Sequence, residues 1–373
     1  MQITPFKLER YFAQYEFKVK YLLSPSDCES LLMAELLQLA DSDSLALWNE
    51  LRLGYTESPG HPTLRDDVSR LYKTITPDHV MIAAPEEAIF VAMHALLKPG
   101  EHVVSIFPAY QSLYEIAHAI GCDVAPWTFK LDANGWQLDL DQLEGALTER
   151  TRLIVINFPH NPTGYLPSRD ELNAIVGLAR KRGLHVFCDE MYRLLEYDPT
   201  RRLPAVCDLY EKGISLSGMS KTFGLPGLRI GWLVTRERAL MERFLAFKDY
   251  TTICSSAPSE ALSIMALRAK DAIVARNLAI VQDNLKIAEQ FFAEHGDRFV
   301  WVRPQGGSIA FPRWVGGTAV EQFCQDMLDR QGVMIVPGSI FDFPGNHFRV
   351  GLGRKNFAEA LECVRDYLRA ELG

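Results

Sequence analysis

The segment Ser217–Trp232 reads SGMSKTFGLPGLRIGW and places a lysine between a β-rich run and a loop that contains Gly and Pro. Lys221 is therefore predicted to follow a strand, among small residues and close to Arg229. Burial and a neighbouring cation both lower the pKa of an amine, which is what Schiff-base chemistry requires. Taken alone, however, Lys221 is better explained as an ordinary surface lysine in a loop.

The regions before this segment alternate between short β-rich runs and helical stretches. The runs that start at Val80 (VMIAA), His102 (HVVSIF), Arg152 (RLIVINF) and Leu184 (LHVFCDE) are nearly continuous in apolar residues. Parallel strands covered by helices on both faces have this character. The spacing predicts strand–helix–strand crossovers and an α/β fold with an open, mostly parallel sheet. In such sheets, ligands bind beyond the carboxyl ends of the strands.

Length and composition exclude several classes of protein. A chain of 373 residues suggests two domains, and a hydrophobic content of 48% excludes a disordered chain. The formal net charge of −8 argues weakly against a nucleic-acid partner, which usually requires a basic excess. Because no run of 18 apolar residues occurs, we also expect no membrane span.

The remaining local signals point to a cytoplasmic protein without a metal. The seven cysteines form no C-x-x-C pair and have no histidine at zinc-ligand spacing, so reduced thiols are expected. The charged N-terminal residues exclude a signal peptide. Dinucleotide-binding, P-loop, serine-hydrolase and zinc-protease motifs do not occur. Asp27 is predicted to cap a helix through residues 28–40 (CESLLMAELLQLA).

Further segments place polar residues where ligands of such a sheet bind. Asn161 opens the turn signal NPTG, and Asp189 in CDEMYR ends an apolar strand, where a buried carboxylate needs a positive partner. Tyr110 in FPAYQS lies in a strand-to-helix loop, and Arg349 in HFRVGLG begins a strand. Each segment alone also fits an ordinary turn, helix cap or packing role.

Together, the segments N-P-T-G, D-E-x-Y, S-K-x-x-G-x-x-G-x-R-x-G and F-R-V resemble the class I/II aminotransferases, which are pyridoxal 5'-phosphate (PLP) enzymes with the aspartate-aminotransferase-like fold. The resemblance runs from about Tyr55 to Arg349 and implies PLP as the cofactor. It implies a large domain at residues 46–275, with a mostly parallel sheet covered by helices. A smaller α+β domain would combine the N-terminal arm, residues 1–45, with residues 276–373.

The resemblance also implies roles at the cofactor ring. Lys221 matches the lysine that forms a Schiff base with PLP and shuttles the α-proton. Asp189 matches the acid that keeps the pyridinium nitrogen protonated, because a protonated ring is the better electron sink. Asn161 and Tyr192 match the pair that hydrogen-bonds the ring oxygen. Two neighbouring polar residues are expected to be scaffold rather than contacts: Asn157 and Ser220.

The outer positions match residues that hold the phosphate and the substrate. Arg229 matches the phosphate-binding arginine, and Arg349 matches the arginine that clamps the substrate α-carboxylate. Tyr110 matches the aromatic that stacks on the ring. Tyr55 matches the tyrosine that reaches the phosphate in the neighbouring subunit, which implies a homodimer. Ordinary packing also explains both tyrosines, and a simple hairpin explains Gly306–Gly307 as well as a turn near the substrate does.

Two stretches depart from the family pattern. Ala84-Pro85-Glu86-Glu87 stands where a Gly-Ala type of phosphate loop is common. Since proline has no N–H group, the phosphate would bind the backbone amides of Glu86 and Glu87 at a helix N-terminus, with both side chains turned away. Gly218 stands where a hydroxyl is common, and Ser217 is a candidate to replace it.

The resemblance favours an aminotransferase that moves an amino group between an L-amino acid and a 2-oxo acid through Lys221. The same residues would serve an elimination or replacement lyase, a cyclase of the capreomycidine-synthase type or a PLP-dependent oxidase. A PLP-binding regulatory domain is a remote alternative, because it would need a DNA-binding module. The substrate side chain stays open: Glu57 or Glu87 would suit a basic one, although solvated loop carboxylates are more common.

Overall fold

The computed structural model describes residues 2–370. Its strands, in chain order, are β1 (Tyr21–Leu22), β2 (Val80–Ala83), β3 (His102–Phe107), β4 (Asp123–Thr128), β5 (Lys130–Asp132), β6 (Gly135–Gln137), β7 (Thr151–Asn157), β8 (His185–Asp189), β9 (Gly213–Gly218), β10 (Gly231–Thr235), β11 (Phe299–Val300), β12 (Ile309–Ala310), β13 (Arg313–Trp314), β14 (Val333–Met334), β15 (Val336–Pro337) and β16 (Phe348–Gly351).

The helices surround these strands, and among the described residues none of them is long and apolar enough to cross a membrane. In chain order, they are α1 (Lys7–Tyr15), α2 (Met33–Gln38), α3 (Ser42–Asn49), α4 (Pro62–Ser69), α5 (Pro85–Leu96), α6 (Ser112–Ile120), α7 (Leu140–Ala146), α8 (Arg169–Arg182), α9 (Val206–Leu209), α10 (Arg238–Lys248), α11 (Ala257–Arg268), α12 (Lys270–Glu294), α13 (Val320–Gln331) and α14 (Phe357–Ala370).

The main sheet has seven strands in the order β2-β10-β9-β8-β7-β3-β4. Neighbours from β9 to β4 pair in parallel, whereas β10 is antiparallel to both β9 and β2. Successive residues of β7 alternate between two apolar layers: Leu153 and Val155 pack with α5 and α6, and Ile154 and Ile156 pack with α8. The predicted α/β class and mostly parallel sheet are confirmed.

The strand register brings the predicted polar residues to one edge of the sheet. Asn157, the last residue of β7, pairs with Asp189, the last residue of β8. Asp189 in turn lies opposite Leu216 on β9, two residues before that strand ends at Gly218. Because parallel strands end at the same edge, three consecutive strands deliver their following loops to one place.

A second layer is built from the C-terminal part of the chain. The strands β12, β16 and β15 form an antiparallel sheet, which packs with α12, α13 and α14 around a separate apolar cluster. Tyr21 and Leu23 join this cluster, but Leu36 packs with the α4 and α11 side of the main sheet. The N-terminal residues are thus shared between the two layers, and the domain boundaries at 46 and 275 stay a prediction.

The predicted helix at residues 28–40 is shorter than expected. It begins at Met33, and Leu32 is its N-cap residue. The preceding segment is extended along the C-terminal strand: Gly351 N–H donates to the Leu23 carbonyl and Glu29 N–H to the Gly353 carbonyl. The Asp27 prediction was wrong because its carboxylate accepts hydrogen bonds from Arg354 Nη2, at 3.0 and 3.1 Å, rather than capping a helix.

Candidate active site

A cavity of about 500 Å³ lies at the carboxyl edge of the main sheet. Loops that follow the parallel strands form one side of it, and α1 with the segment before α2 forms the other. The residues that line it are Phe6, Glu9, Arg10, Ser26, Pro85, Glu86, Ile89, Tyr110, Asn161, Asp189, Met191, Tyr192, Leu216, Ser220, Lys221, Pro226 and Arg229. Segments separated by more than 200 residues in the chain therefore meet at one site.

Lys221 lies three residues beyond β9, half-buried, with its side chain in this cavity. Its Nζ donates a hydrogen bond to Ser26 Oγ at 2.8 Å. Burial lowers the pKa of Lys221, and the positive charge of Arg349 lowers it further, whereas the Asp27, Glu9 and Asp189 carboxylates oppose the shift. An amine in this setting exchanges protons more readily than an exposed lysine does.

Asp189 and Asn161 are held in place by the scaffold residue Asn157. The Asn157 side chain donates to the Asp189 carbonyl at 2.8 Å and accepts from the Asn161 backbone N–H at 2.7 Å. Asp189 Oδ1 accepts from the Met191 N–H at 3.0 Å, and burial raises the pKa of its carboxyl group to about 6. A buried carboxylate of this kind is stabilised by a cationic partner inside the cavity.

Tyr192 presents a buried and unpartnered hydroxyl to the cavity. Its side chain is 2% exposed, and its Oη has no hydrogen-bond partner among the described residues. Ser26 is close by, but its hydroxyl is engaged with Lys221. Buried hydroxyls are normally hydrogen-bonded, so the orphaned Oη indicates that a ligand atom belongs there.

Arg349 is buried without a counter-charge. It is 1% exposed; Nε donates to the Ser24 carbonyl at 2.9 Å and Nη1 to Asn161 Oδ1 at 3.4 Å. Within residues 2–370, no carboxylate forms an ion pair with it, and burial lowers the pKa of its guanidinium. Since buried charges are normally paired, Arg349 has the character of an anion-binding residue.

Tyr110 and the start of α5 form the wall next to the arm. The Tyr110 hydroxyl donates to Glu9 Oε1 at 2.9 Å. Glu87 is turned away from the cavity, as predicted, because its carboxylate accepts from the backbone and the hydroxyl of Thr252. Glu86 is not turned away: it lines the cavity and accepts from Ser112 at 3.3 Å, and burial raises its pKa to about 7.

The two departures noted in the sequence, Pro85 and Gly218, are in contact. A Cβ at Gly218 would stand 2.8 Å from the Gly231 Cα and 3.2 Å from the Pro85 ring. A Cβ at Gly231 would stand closer still to that ring, at 2.8 Å, so the glycine pair on β9 and β10 makes room for the proline that begins α5. Ser217 is buried, with its hydroxyl 3.5 Å from the Glu190 carbonyl, and does not line the cavity.

The remaining predicted residues lie at the rim or outside it. Arg229 lines the cavity but is exposed, and its Nη1 donates to the Pro226 carbonyl at 3.1 Å. Tyr55 is 93% exposed and lies outside the cavity. Gly307 is in the left-handed region, with φ of 81°, and packs against the Tyr192 ring, so the Gly306–Gly307 turn does approach the site.

Sequence reasoning missed the arm residues Phe6, Glu9 and Arg10, as well as Ser26. The arm is fixed over the cavity by long-range contacts: the Lys7 N–H donates to Gln111 at 2.8 Å, and the Tyr11 hydroxyl to the Ile335 carbonyl at 2.9 Å. No motif marks these residues, because their partners are distant in the chain. The one available signal was the amphipathic pattern of the N-terminal helix, because the apolar face of such a helix packs against another part of the protein.

Comparison with known proteins identifies the family. Residues 23–362 match the model of the family described as aminotransferase class I and II. The chain belongs to this family.

Two relatives of this aminotransferase-family chain differ in their reactions. It is 31% identical, over 97% of its length and 93% of the relative's, to a capreomycidine synthase from Streptomyces vinaceus. It is 28% identical, over 85% of its length and 84% of the relative's, to an aspartate aminotransferase from Thermotoga maritima. A crystal structure of a PLP-dependent aminotransferase from Streptococcus suis superposes with a TM-score of 0.92, at 29% identity, over 99% of both chains.

The cavity of this aminotransferase-family chain fits PLP, the cofactor of the family. Among the described residues, the Tyr192 hydroxyl has no hydrogen-bond partner, and the buried carboxyl of Asp189 accepts from the Met191 N–H but forms no ion pair. Lys221 offers an amine with a lowered pKa, and Arg229 together with the N-terminus of α5 offers positive charge to a phosphate. These are the groups that a pyridine ring with an aldehyde, a hydroxyl and a phosphate requires.

Proposed function

We propose that the protein transfers an amino group between an L-amino acid and a 2-oxo acid, with Lys221 as the amine that binds PLP covalently and moves the α-proton. One observation carries the proposal. An amine with a lowered pKa and a buried carboxyl with a raised pKa face the same cavity, beside an arginine that has no ion pair in the described part of the chain. Such opposed shifts mark groups that exchange protons with a bound ligand.

Lys221 and Asp189 divide the proton transfers between them. Bound PLP supplies an electron-withdrawing ring that stabilises negative charge at the substrate Cα. Asp189 would hold the proton on the ring nitrogen, because its buried carboxylate needs a positive partner. Lys221 Nζ would take the proton from the substrate Cα and deliver it to the neighbouring carbon of the bound group. Its lowered pKa leaves more of the amine unprotonated for this step.

Arg349 would hold the α-carboxylate of the substrate. Its guanidinium is buried and forms no ion pair with the residues that the structure describes, and its Nη1 contacts Asn161, which lines the cavity. A planar guanidinium binds a carboxylate through two parallel hydrogen bonds, which fixes the orientation of the Cα substituents relative to Lys221.

The phosphate would lie between Arg229, Ser220 and the backbone amides of Glu86 and Glu87. Ser220, which the sequence suggested to be scaffold, lines the cavity together with Arg229, and the amides belong to the first turn of α5. A helix N-terminus favours anions because its first N–H groups lack intrahelical partners. Ser217 has no part in this arrangement, since its hydroxyl is directed at the Glu190 carbonyl.

A homodimer would complete the phosphate site through Tyr55. The loop that carries Tyr55 is fixed to the region after α10, where Thr56 donates to the Ser255 carbonyl and Ser58 to Asp249. Both segments expose large apolar side chains on the monomer: Leu53, Tyr55, Tyr250 and Ile253. An exposed apolar patch of this kind favours contact with a second copy of the chain.

A second candidate is a PLP-dependent cyclisation, which is favoured by the identity with capreomycidine synthase over nearly the whole chain. The two reactions differ in their nitrogen balance. A transamination converts the amino acid into a 2-oxo acid and requires a second oxo acid to restore the cofactor. A cyclisation returns an amino acid and needs no oxo acid.

The test follows the visible absorbance of the purified holoenzyme through one half-reaction at a time. An amino acid alone is expected to bleach the yellow cofactor, and a 2-oxo acid is expected to restore it. Mass spectrometry of the products must show one oxo acid per bleached site. A cyclic amino acid formed without an oxo acid would instead support the second candidate, and release of ammonia or uptake of oxygen would contradict both.

A further inference from the structure

The wall of the cavity that faces the arm carries a fixed carboxylate without a cationic partner. Glu9, on α1, lines the cavity and accepts a hydrogen bond from the Tyr110 hydroxyl at 2.9 Å. No Lys, Arg or His in the described part of the chain forms an ion pair with it. Tyr110 therefore orients the Glu9 carboxylate without neutralising it.

The proposed function assigns roles to four charged side chains of the site but none to Glu9. On the proposed function, Asp189 faces the ring nitrogen, Lys221 the reacting carbon, Arg229 the phosphate and Arg349 the α-carboxylate. The Glu9 charge raises the pKa of both Lys221 and Arg349, so Glu9 lies within electrostatic range of the groups assigned to the reacting carbon and the α-carboxylate. Glu86, the other carboxyl on this wall, does not compete with Glu9 for a cation to the same extent, because burial and the nearby Glu9 charge raise the pKa of Glu86 to about 7.

The Tyr192 hydroxyl lines the cavity without a partner, and Arg349, which contacts the lining residue Asn161, forms no ion pair within residues 2–370. Both observations indicate that a polar, anionic ligand belongs at the buried end of the cavity. A substrate held there by its α-carboxylate extends its side chain toward the open end. We propose that Glu9 selects amino acids whose side chain ends in a cation, an ammonium or a guanidinium group. The proposal rests on the proposed function, whose substrate class it specifies.

Arg10 is the residue that would favour a substrate with an anionic side chain. It also lines the cavity, but its guanidinium makes no hydrogen bond or ion pair with residues 2–370, and it is exposed. Glu9, in contrast, is fixed by Tyr110. A fixed charge loses less conformational entropy on binding than a mobile one, so it contributes more to selectivity.

The test compares amino acids of similar length on the holoenzyme: L-ornithine and L-arginine as cationic probes, L-norvaline as the neutral probe and L-glutamate as the anionic probe. We expect kcat/KM for the cationic probes to exceed that for norvaline by about 10- to 100-fold, since a charge-assisted hydrogen bond distinguishes them. A preference for glutamate or norvaline would overturn the inference and leave the proposed function standing.

Binding is measured separately, so that the inference is tested even if no probe is transaminated. The Lys221→Ala protein, loaded with PLP, is titrated with each probe by calorimetry. Glu9→Gln is expected to weaken ornithine binding about tenfold and to leave norvaline binding unchanged, because glutamine retains the contact with Tyr110 but not the charge. Glu50→Gln, at an exposed carboxylate outside the cavity, is the matched control and is expected to change neither.

Arg10→Gln gives the complementary result. Removing the competing cation is expected to strengthen ornithine binding by a few fold, since like charges repel across the cavity mouth. If Glu9→Gln instead weakened norvaline and ornithine equally, Glu9 would be only a structural partner of Tyr110, and the inference would be wrong.

Discussion

The candidate active site has a floor and a rim that are held in different ways. The floor consists of side chains that are less than one-tenth exposed: Asn161, Asp189, Tyr192 and Arg349. The rim consists of exposed side chains that reach the same cavity: Glu9, Arg10 and Arg229. Burial fixes the protonation and orientation of the floor, because unpaired charges there are costly. The rim remains solvated, so we expect it to adjust affinity rather than to decide whether the reaction occurs.

The strongest test of this comparison is Lys221→Ala, at the junction of floor and rim. We expect kcat to fall on the order of 10⁴-fold, because the proposed function uses the amine both as the covalent attachment and as the proton carrier. The measurement is the rate at which an amino acid bleaches the yellow cofactor under single-turnover conditions. Lys212→Ala, whose amine contacts the Gly183 carbonyl away from the cavity, is the control and should retain full activity. Covalent attachment of PLP to the Lys221→Ala protein would show that the site is misassigned.

Asp189→Asn removes a carboxylate from the floor without changing the shape of the side chain. Asparagine can still accept from the Met191 N–H, but it cannot hold a proton on the ring nitrogen. We expect kcat to fall about 10²- to 10³-fold, the usual cost of removing one fixed charge from a catalytic site. Retention of the wild-type melting temperature would separate this loss from unfolding.

The Asp189 carboxyl also predicts a pH dependence of cofactor binding. Its pKa is raised to about 6, so in the free protein it is mostly neutral at pH 5 and mostly ionised at pH 7. Only the ionised form attracts a protonated ring nitrogen, and the affinity for PLP should therefore rise between these pH values. In equilibrium titrations with PLP, the Asp189→Asn protein should lack this rise in affinity. An identical pH profile in the wild type and in Asp189→Asn would contradict the assignment.

Arg349→Lys tests the part of the floor that is proposed to bind the substrate. Lysine keeps the charge but loses the planar pair of donors, so the α-carboxylate should be held less firmly. We expect KM to rise about 10- to 100-fold, with a smaller change in kcat. An amine substrate without an α-carboxylate is the control. If its KM rose equally in the Arg349→Lys protein, Arg349 would stabilise the fold rather than bind the substrate.

The floor was more accessible to sequence reasoning than the rim, for a physical reason. Asn161, Asp189 and Lys221 lie at or just beyond the carboxyl ends of consecutive parallel strands, and strand order alone brings such residues together. The contact between Pro85 and Gly218 could not be anticipated, since it depends on the approach of α5 to β9 and β10. Glu9 and Ser26 reach the cavity through contacts with residues more than 100 positions away, which no local pattern encodes.

The smallest expected effect belongs to Tyr55→Phe, which tests whether the rim includes a second subunit. The change removes only a hydroxyl from a side chain that is 93% exposed, so the stability of one chain should not change. If the hydroxyl reaches the phosphate in the neighbouring subunit, the Kd for PLP should rise about three- to tenfold, the value of one hydrogen bond.

Tyr250→Phe, at an equally exposed tyrosine on the same patch, is the control and should leave the Kd unchanged. A mixed dimer makes the test specific to the partner contact. One chain would carry Tyr55→Phe, and the other would carry Lys221→Ala and so lack covalent PLP. The one remaining covalent site then lies on the Tyr55→Phe chain and faces an intact Tyr55 from its partner, so its PLP should be retained as in the wild type. Weakened retention there would mean that Tyr55 acts within its own chain.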